Sequence, residues 1–286
     1  MFNAFFNNEC RGCGMRYEPE TVDTISRMTS APTESQANDY DVFIKELKLS
    51  QGLCLQTYSL HQRFVTVYIR AAHTKQASLL DWTNNTHDGT EVGTIRFTAF
   101  RGVGGSTTSG NHYINNNYSQ QQDYFSPSSK FGGYITADYN NRILGYVTTA
   151  GGAGAAEMTL ARDLPNRIYD SWGSNPAQSF NTAGAGMREI VRGGSYNNNG
   201  TIGGRTLLYQ GQIDMTGGVP NTVRNNFDIN FYSLARNVSN LGTPNGSPQQ
   251  INTAGLCMFQ FHGSFLINSP KLLVAVEKYL IKVGAI

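Results

Sequence analysis

Apolar positions change their period twice along the chain. Between residues 19 and 50 they recur every three or four positions, from Arg63 they alternate, and after residue 269 the helical period returns. Pro19 opens a first segment in which Val22, Ile25 and Met28 repeat, and Pro32 breaks it. Thr33-Glu-Ser-Gln36 matches a capping box, in which the Thr oxygen and the Gln amide each satisfy a free backbone N–H. The helix that follows carries Ala37, Tyr40, Phe43, Ile44 and Leu47 on one face, and Gly52 is its expected stop. The two segments predict a helical hairpin with one apolar stripe, which must pack on something.

The alternating region predicts many short strands. Phe64, Val67, Tyr68 and Ile69 mark the first, Leu79–Trp82 a second and Thr94–Phe100 a third. A Gly/Ser/Thr loop at 102–111 precedes His112–Ile114, and further strands are expected at 133–137, 143–147, 157–160, 178–182, 188–191, 206–210, 212–215, 227–234 and 258–263. Leu208–Asp214 reads as a tight hairpin around Gly211. Ala150–Ala156 reads as a flexible loop, and Asn237–Asn252 as a long polar loop. Strands spaced this way predict a sandwich or barrel rather than a βαβ fold. At the end, Ser269 is the expected N-cap and Pro270 suits a first helical position. Leu272, Leu273, Val276, Leu280 and Val283 form one face, and Gly284 stops the helix. This helix is expected to cover an end or edge of the sandwich. The division is therefore an arm at 1–17, a helical hairpin at 18–52, and a β-sandwich at 53–286 with a C-terminal helix at 270–284.

Composition narrows the class. The chain has 286 residues, enough for a sizeable core, with 22 Lys+Arg against 20 Asp+Glu and a net charge of +2. That balance argues against coating a nucleic acid, which needs clustered cations, so no nucleic-acid partner is expected. No apolar run is long enough for a membrane span, and residues 1–10 lack the positive and apolar regions of a secretory signal. The surface is expected to be rich in amides, since there are 27 Asn, with runs at Asn115–Asn117 and Asn197–Asn199.

The helical front, the run Val67–Leu80 (VYIRAAHTKQASLL), Phe97–Gly102 before a Gly/Ser loop, Asp228–Arg236 (DINFYSLAR) and the terminal helix stand together over residues 17–286. In this set and order the chain resembles the laminin-G-like, concanavalin-like β-sandwich virion proteins of tailed phages and prophages, of the type found in Bacteroidetes phages. The loop at 102–111 and the region 115–131 depart from that pattern, and the Cys-bearing arm is not part of it. The resemblance implies a mostly β, antiparallel sandwich and a place in the virion, on capsid surface, head fibre or tail, with other virion proteins as partners. It transfers no catalytic residues.

Chemistry is sparse. A retaining glycosidase needs two carboxyl groups about 5 Å apart, yet Glu157, Asp163, Asp170, Glu189, Asp214 and Asp228 are isolated along the chain. His61, His73, His87, His112 and His262 form no i, i+4 pair, and no Gly-x-Ser-x-Gly elbow accompanies them. A triad is recognised by geometry, which sequence does not give. The expectation is a non-enzyme without cofactor. Such sandwiches sometimes bind calcium through loop oxygens, but no Asp-rich loop supports Ca²⁺ here. Cys10 and Cys13 have the spacing of half a zinc knuckle and are the weak metal candidates, since Cys54 and Cys257 stand alone and far off. An inter-chain bridge is the other use for that pair. For glycan binding the candidates are aromatic faces beside amides: Tyr118 and Tyr124, Trp172 with Asn175, and Tyr196 with Asn197. Phe2, Phe5 and Phe6 are candidates for an assembly arm. The favoured reading is a structural virion protein, a homo-oligomer for which a trimer is the guess. The alternatives are a host-receptor or glycan-binding tip of the same fold and, ranked lower, a polysaccharide-cleaving enzyme or a jelly-roll capsid protein.

Overall fold

The computed structural model of the chain describes residues 17–50, 59–83, 85–106, 111–119, 129–136, 141–148, 157–162, 167–168, 178–179, 185–192, 205–217, 230–239, 247–249, 254–264 and 266–286. In chain order its elements are α1 (Pro19–Ser26), α2 (Glu34–Ser50), β1 (Phe64–Tyr68), α3 (Lys75–Leu79), β2 (Thr90–Val92), β3 (Arg96–Thr98), β4 (Gly102–Gly104), β5 (Tyr113–Ser119), β6 (Ser129–Ile135), β7 (Asn141–Thr148) and β8 (Glu157–Arg162). There follow β9 (Arg167–Ile168), β10 (Gln178–Ser179), β11 (Gly186–Arg192), β12 (Arg205–Tyr209), β13 (Gln212–Gly217), β14 (Asn230–Ser233), β15 (Arg236–Ser239), β16 (Ser247–Gln249), β17 (Cys257–Ser264) and α4 (Ser269–Lys282). One sheet runs β13-β12-β11-β6-β17-β4-β3, with β1 also on β17; the other runs β16-β15-β7-β14-β5-β2, with β8 also on β7. All pairings in both sheets are antiparallel except β15 with β7, which is parallel.

Alternation along β17 explains the layering. Phe259 and Phe261 join the core under the helices, while His262 meets Tyr118 of β5 and Phe231 of β14 across the sandwich. The first sheet is thus covered on both faces, by helices on one and by the second sheet on the other. The result is a mostly β, antiparallel sandwich with an N-terminal helical hairpin and a C-terminal helix. The helices lie on a sheet face, not on an end or edge as the sequence suggested. Phe43 packs on Phe259 (5.8 Å) and stacks on Tyr279 (4.7 Å), and the Tyr279 hydroxyl donates to the Ala71 carbonyl at 2.8 Å. Each such fully buried side chain contributes roughly 1.5–3 kcal/mol. The layer is therefore integral to the core.

Local signals hold where side chains close their own geometry. Gln36 N donates to Thr33 Oγ1 (3.3 Å) and Thr33 N to Gln36 Oε1 (2.9 Å), which is the capping box. Gln210 and Gly211 both have positive φ, 51° and 71°, which makes the two-residue turn between β12 and β13. Gly284, at φ 72°, ends α4. Four expectations are corrected. Leu79 belongs to α3, because Thr74 caps that helix by accepting from Ala77 N, and only Asp81 of the expected strand bridges to Tyr68. The N-cap of α4 is Asn268, whose Oδ1 accepts from Lys271 N at 3.0 Å. Residues 102–104 of the expected loop form β4, and the expected loop at 237–252 contains most of β15 and all of β16. Gly52 and Ala150–Ala156 lie outside the described residues.

Candidate functional site

Three buried polar clusters stand out among the described residues. β1 leads into Tyr68 and Arg70, which turn between the sheets. The Arg70 guanidinium is fully buried. Its Nη1 donates to the Ser78 carbonyl (2.8 Å). Its Nη2 donates to Asn116 Oδ1 (2.8 Å), Ser233 Oγ (3.1 Å) and Gln260 Oε1 (3.0 Å), and its Nε reaches the same Gln260 oxygen at 3.3 Å. The Tyr68 ring lies 4.1 Å from the cation. Gln260 belongs to one sheet, and Asn116 and Ser233 belong to the other. Arg70 therefore rivets the two sheets with neutral acceptors. Burial lowers its pKa, and guanidinium remains protonated regardless. A charge spent on so many protein acceptors has no face left for a substrate.

Next to it lies an acid–imidazole pair. Asp81 is fully buried and accepts from Val67 N (2.9 Å), Thr83 N (3.0 Å) and Thr83 Oγ1 (2.8 Å), and its Oδ2 stands 3.4 Å from His87 Nδ1. Desolvation raises the Asp81 pKa, against the nearby His87 imidazole and two backbone N–H donors. Acid, imidazole and hydroxyl here are the ingredients of a triad but in the wrong order. The Thr83 hydroxyl binds the carboxylate and the Val65 carbonyl, not the imidazole that would have to take its proton.

A third cluster faces the helices. Lys130 of β6 donates to the Ile267 carbonyl (2.5 Å) and to Ser269 Oγ, and it lies 3.7 Å from Glu189 Oε1 of β11. The Ser269 hydroxyl donates to Glu189 at 3.1 Å. Burial lowers the Lys130 pKa and raises that of Glu189, each opposed by the partner's charge. The cluster fastens the start of α4 to the sheet. Its buried pair costs desolvation, so it orders the helix more than it stabilises the fold.

The sequence-named residues fall elsewhere. Tyr118 is 1% exposed, and its ring stacks on Phe231 at 4.9 Å. It is a core residue whose face is taken, not a surface platform for a sugar. Asn115–Asn117 are in β5 and not all on the surface: Asn116 is buried on Arg70, and Asn117 holds φ 55°. Tyr124, Trp172, Asn175, Tyr196, Asn197, the arm residues Phe2, Phe5 and Phe6, and the cysteines Cys10, Cys13 and Cys54 lie outside the described residues, as do Asp163, Asp170 and Asp228. Cys257 is a buried free thiol whose pKa burial pushes up to about 12. Among the described residues no group of three His, Cys, Asp or Glu could hold a metal ion, and no helix is long and apolar enough to cross a membrane. The residues that sequence reasoning passed over include Arg70, Gln260, Lys130 and Asp81. The signal for the first two was a polar residue inside an apolar strand run, Val67-Tyr-Ile-Arg70 and Met258-Phe-Gln-Phe261.

Neither a family model nor a curated protein matches the sequence. Among solved structures, the chain is similar to a Trypanosoma rangeli sialidase (12% identity, TM-score 0.44), covering 85% of this chain and 39% of that one. It is also similar to domain 4 of a GH43 extracellular arabinanase from Geobacillus stearothermophilus, in complex with arabinotriose (12%, 0.40; 74% and 99%). A third is a botulinum neurotoxin type C structure concerned with interaction with two ganglioside molecules (10%, 0.47; 77% and 52%). The chain spans about two fifths of the sialidase and half of the toxin chain. At these scores the likenesses assign no activity.

Proposed function

We propose that the chain is a non-enzymatic structural component of a tailed-phage virion, displaying a sandwich on capsid surface, head fibre or tail. The family is suggested by the sequence resemblance over residues 17–286. The observation that carries a structural role is the one-sidedness of the three layers. Helices close one sheet face, and their outer side keeps Val42, Leu49, Val274 and Ile281 exposed, as an assembly face would. The described ionisable clusters support the same role, because Arg70, Asp81 and Lys130 are spent on fastening sheets and helix. The test is mass spectrometry of gradient-purified particles. The chain should be present in fixed ratio to the major capsid protein, and its absence from particles would overturn the reading.

A second reading is binding of a host surface glycan. Trp172 with Asn175 and Tyr196 with Asn197 lie outside the described residues, and what supports this reading is their chemistry in the sequence, an aromatic face beside an amide that can both donate and accept. Glycan-array binding that is lost in Trp172→Ala or Tyr196→Ala, with unchanged melting, would establish it. Binding indifferent to both substitutions would remove it.

A further inference from the structure

We propose that the outer face of the helical layer is a two-fold self-association surface on which α2 of one copy lies over α4 of a second. This deepens the reading of the helical side as an assembly face by naming its occupant, a second copy of the chain.

Three observations lead there. First, the exposed aliphatics are aligned. Val42 and Leu49 are seven residues apart on α2, Val274 and Ile281 seven apart on α4, and all four are 48–63% exposed. Two turns of helix place each pair in one line, at positions a solvated helix fills with polar residues. Second, the ion pairs Glu46–Lys278 (2.8 Å) and Asp39–Lys282 (3.9 Å) fix α2 and α4 antiparallel and in register. Val42 is therefore level with Ile281, Leu49 with Val274, and Glu46 with Lys278. Third, the two helices are oppositely charged. α2 carries four carboxylates against two lysines, net −2, and α4 three lysines against one carboxylate, net +2.

A face-to-face dimer has two regular two-fold arrangements. An axis across the helices would set α2 on α2 and α4 on α4, like charge on like. An axis along the helices keeps every level and sets α2 on the other copy's α4. Val42 then meets Ile281, Leu49 meets Val274, and Glu46 meets Lys278, each contact occurring twice. Charge complementarity selects the second arrangement. It predicts an even assembly and not the trimer guessed from sequence.

The test is sedimentation velocity of the full chain over a range of concentrations and salt. The expected species is a dimer, loosened by salt. Ile281→Asp should give a monomer with unchanged circular dichroism, because the position is exposed. Glu46→Lys and Lys278→Glu should each weaken the dimer about tenfold or more, since each reverses two symmetric pairs. Mixing these two single variants should restore a dimer. In the mixed pair, positions 46 and 278 are both cationic on one copy and both anionic on the other, so each of the two symmetric contacts again joins opposite charges. An ion pair acting only within one chain gives no such rescue. A monomer at all concentrations, a trimer, a dimer indifferent to Ile281→Asp, or no rescue on mixing would overturn the proposal. These outcomes are read on the isolated chain, so they are separate from the presence of the chain in particles.

Discussion

His262 makes the packing between the sheets measurable as a function of pH. Its ring sits edge-on to Phe231 (5.6 Å, 80°) and near Tyr118 (6.0 Å) and Phe131 (5.8 Å), and burial pushes its pKa down to about 3. In the unfolded chain the imidazole titrates near 6.5. Between these values the unfolded state binds the extra proton, so acid favours unfolding. The contribution of neutral His262 is fully present above about pH 6.5 and is lost as pH falls toward 3. For one such group the loss between pH 7 and pH 4 is roughly 3 kcal/mol, a large share of a typical domain's stability. Urea unfolding at pH 7, 5.5 and 4 should show it, with His262→Phe as reference. Asp81 and Glu189, whose pKa values burial raises, pull the opposite way. They are common to both proteins and cancel in the difference. The wild type should lose about 3 kcal/mol relative to His262→Phe across that range. Parallel pH profiles for the two proteins would refute the claim that the imidazole is held neutral between the sheets.

Other perturbations probe other joints of the structure. Arg70→Ala should cost at least about 3 kcal/mol in urea unfolding, because Asn116, Ser233, Gln260 and the Ser78 carbonyl each lose a charged donor together, and the hydrogen bonds that Ser233 exchanges with Asn116 and donates to Gln260 replace it only in part; a cost under about 1 kcal/mol would deny Arg70 its role as rivet. Thr33→Ala removes the exposed capping bond and should cost about 1 kcal/mol, with Gln36→Ala adding little more because the two bonds form one box. Lys130→Met should loosen the start of α4, seen as faster amide exchange over residues 268–273 than in the wild type, while exchange in β5 stays unchanged.

Much of the architecture was legible because it is encoded locally. The capping box at Thr33, the turn at Gly211 and the stop at Gly284 each depend on a few neighbouring residues, and each forms as the sequence implies. The change of apolar period marked the hairpin, the strands and α4. What the sequence hid depends on the far side of the molecule. Tyr118 and the Asn115–Asn117 run look like a surface cluster until β5 pairs with β14 and turns Tyr118 and Asn116 inward. Ser269 looks like a cap, but its hydroxyl is claimed by Lys130 and Glu189, more than 75 residues away in sequence, and Asn268 caps instead. The helices belong to a sheet face because both faces of β17 are apolar or buried, and only the pairing reveals that.

Cryo-electron microscopy of purified particles tests the proposed structural role in a phage virion most directly. Density for the three-layer fold is expected at symmetry-related positions on capsid or tail, with the helical faces of two copies in contact. Particles whose every protein density is accounted for without this fold would contradict it.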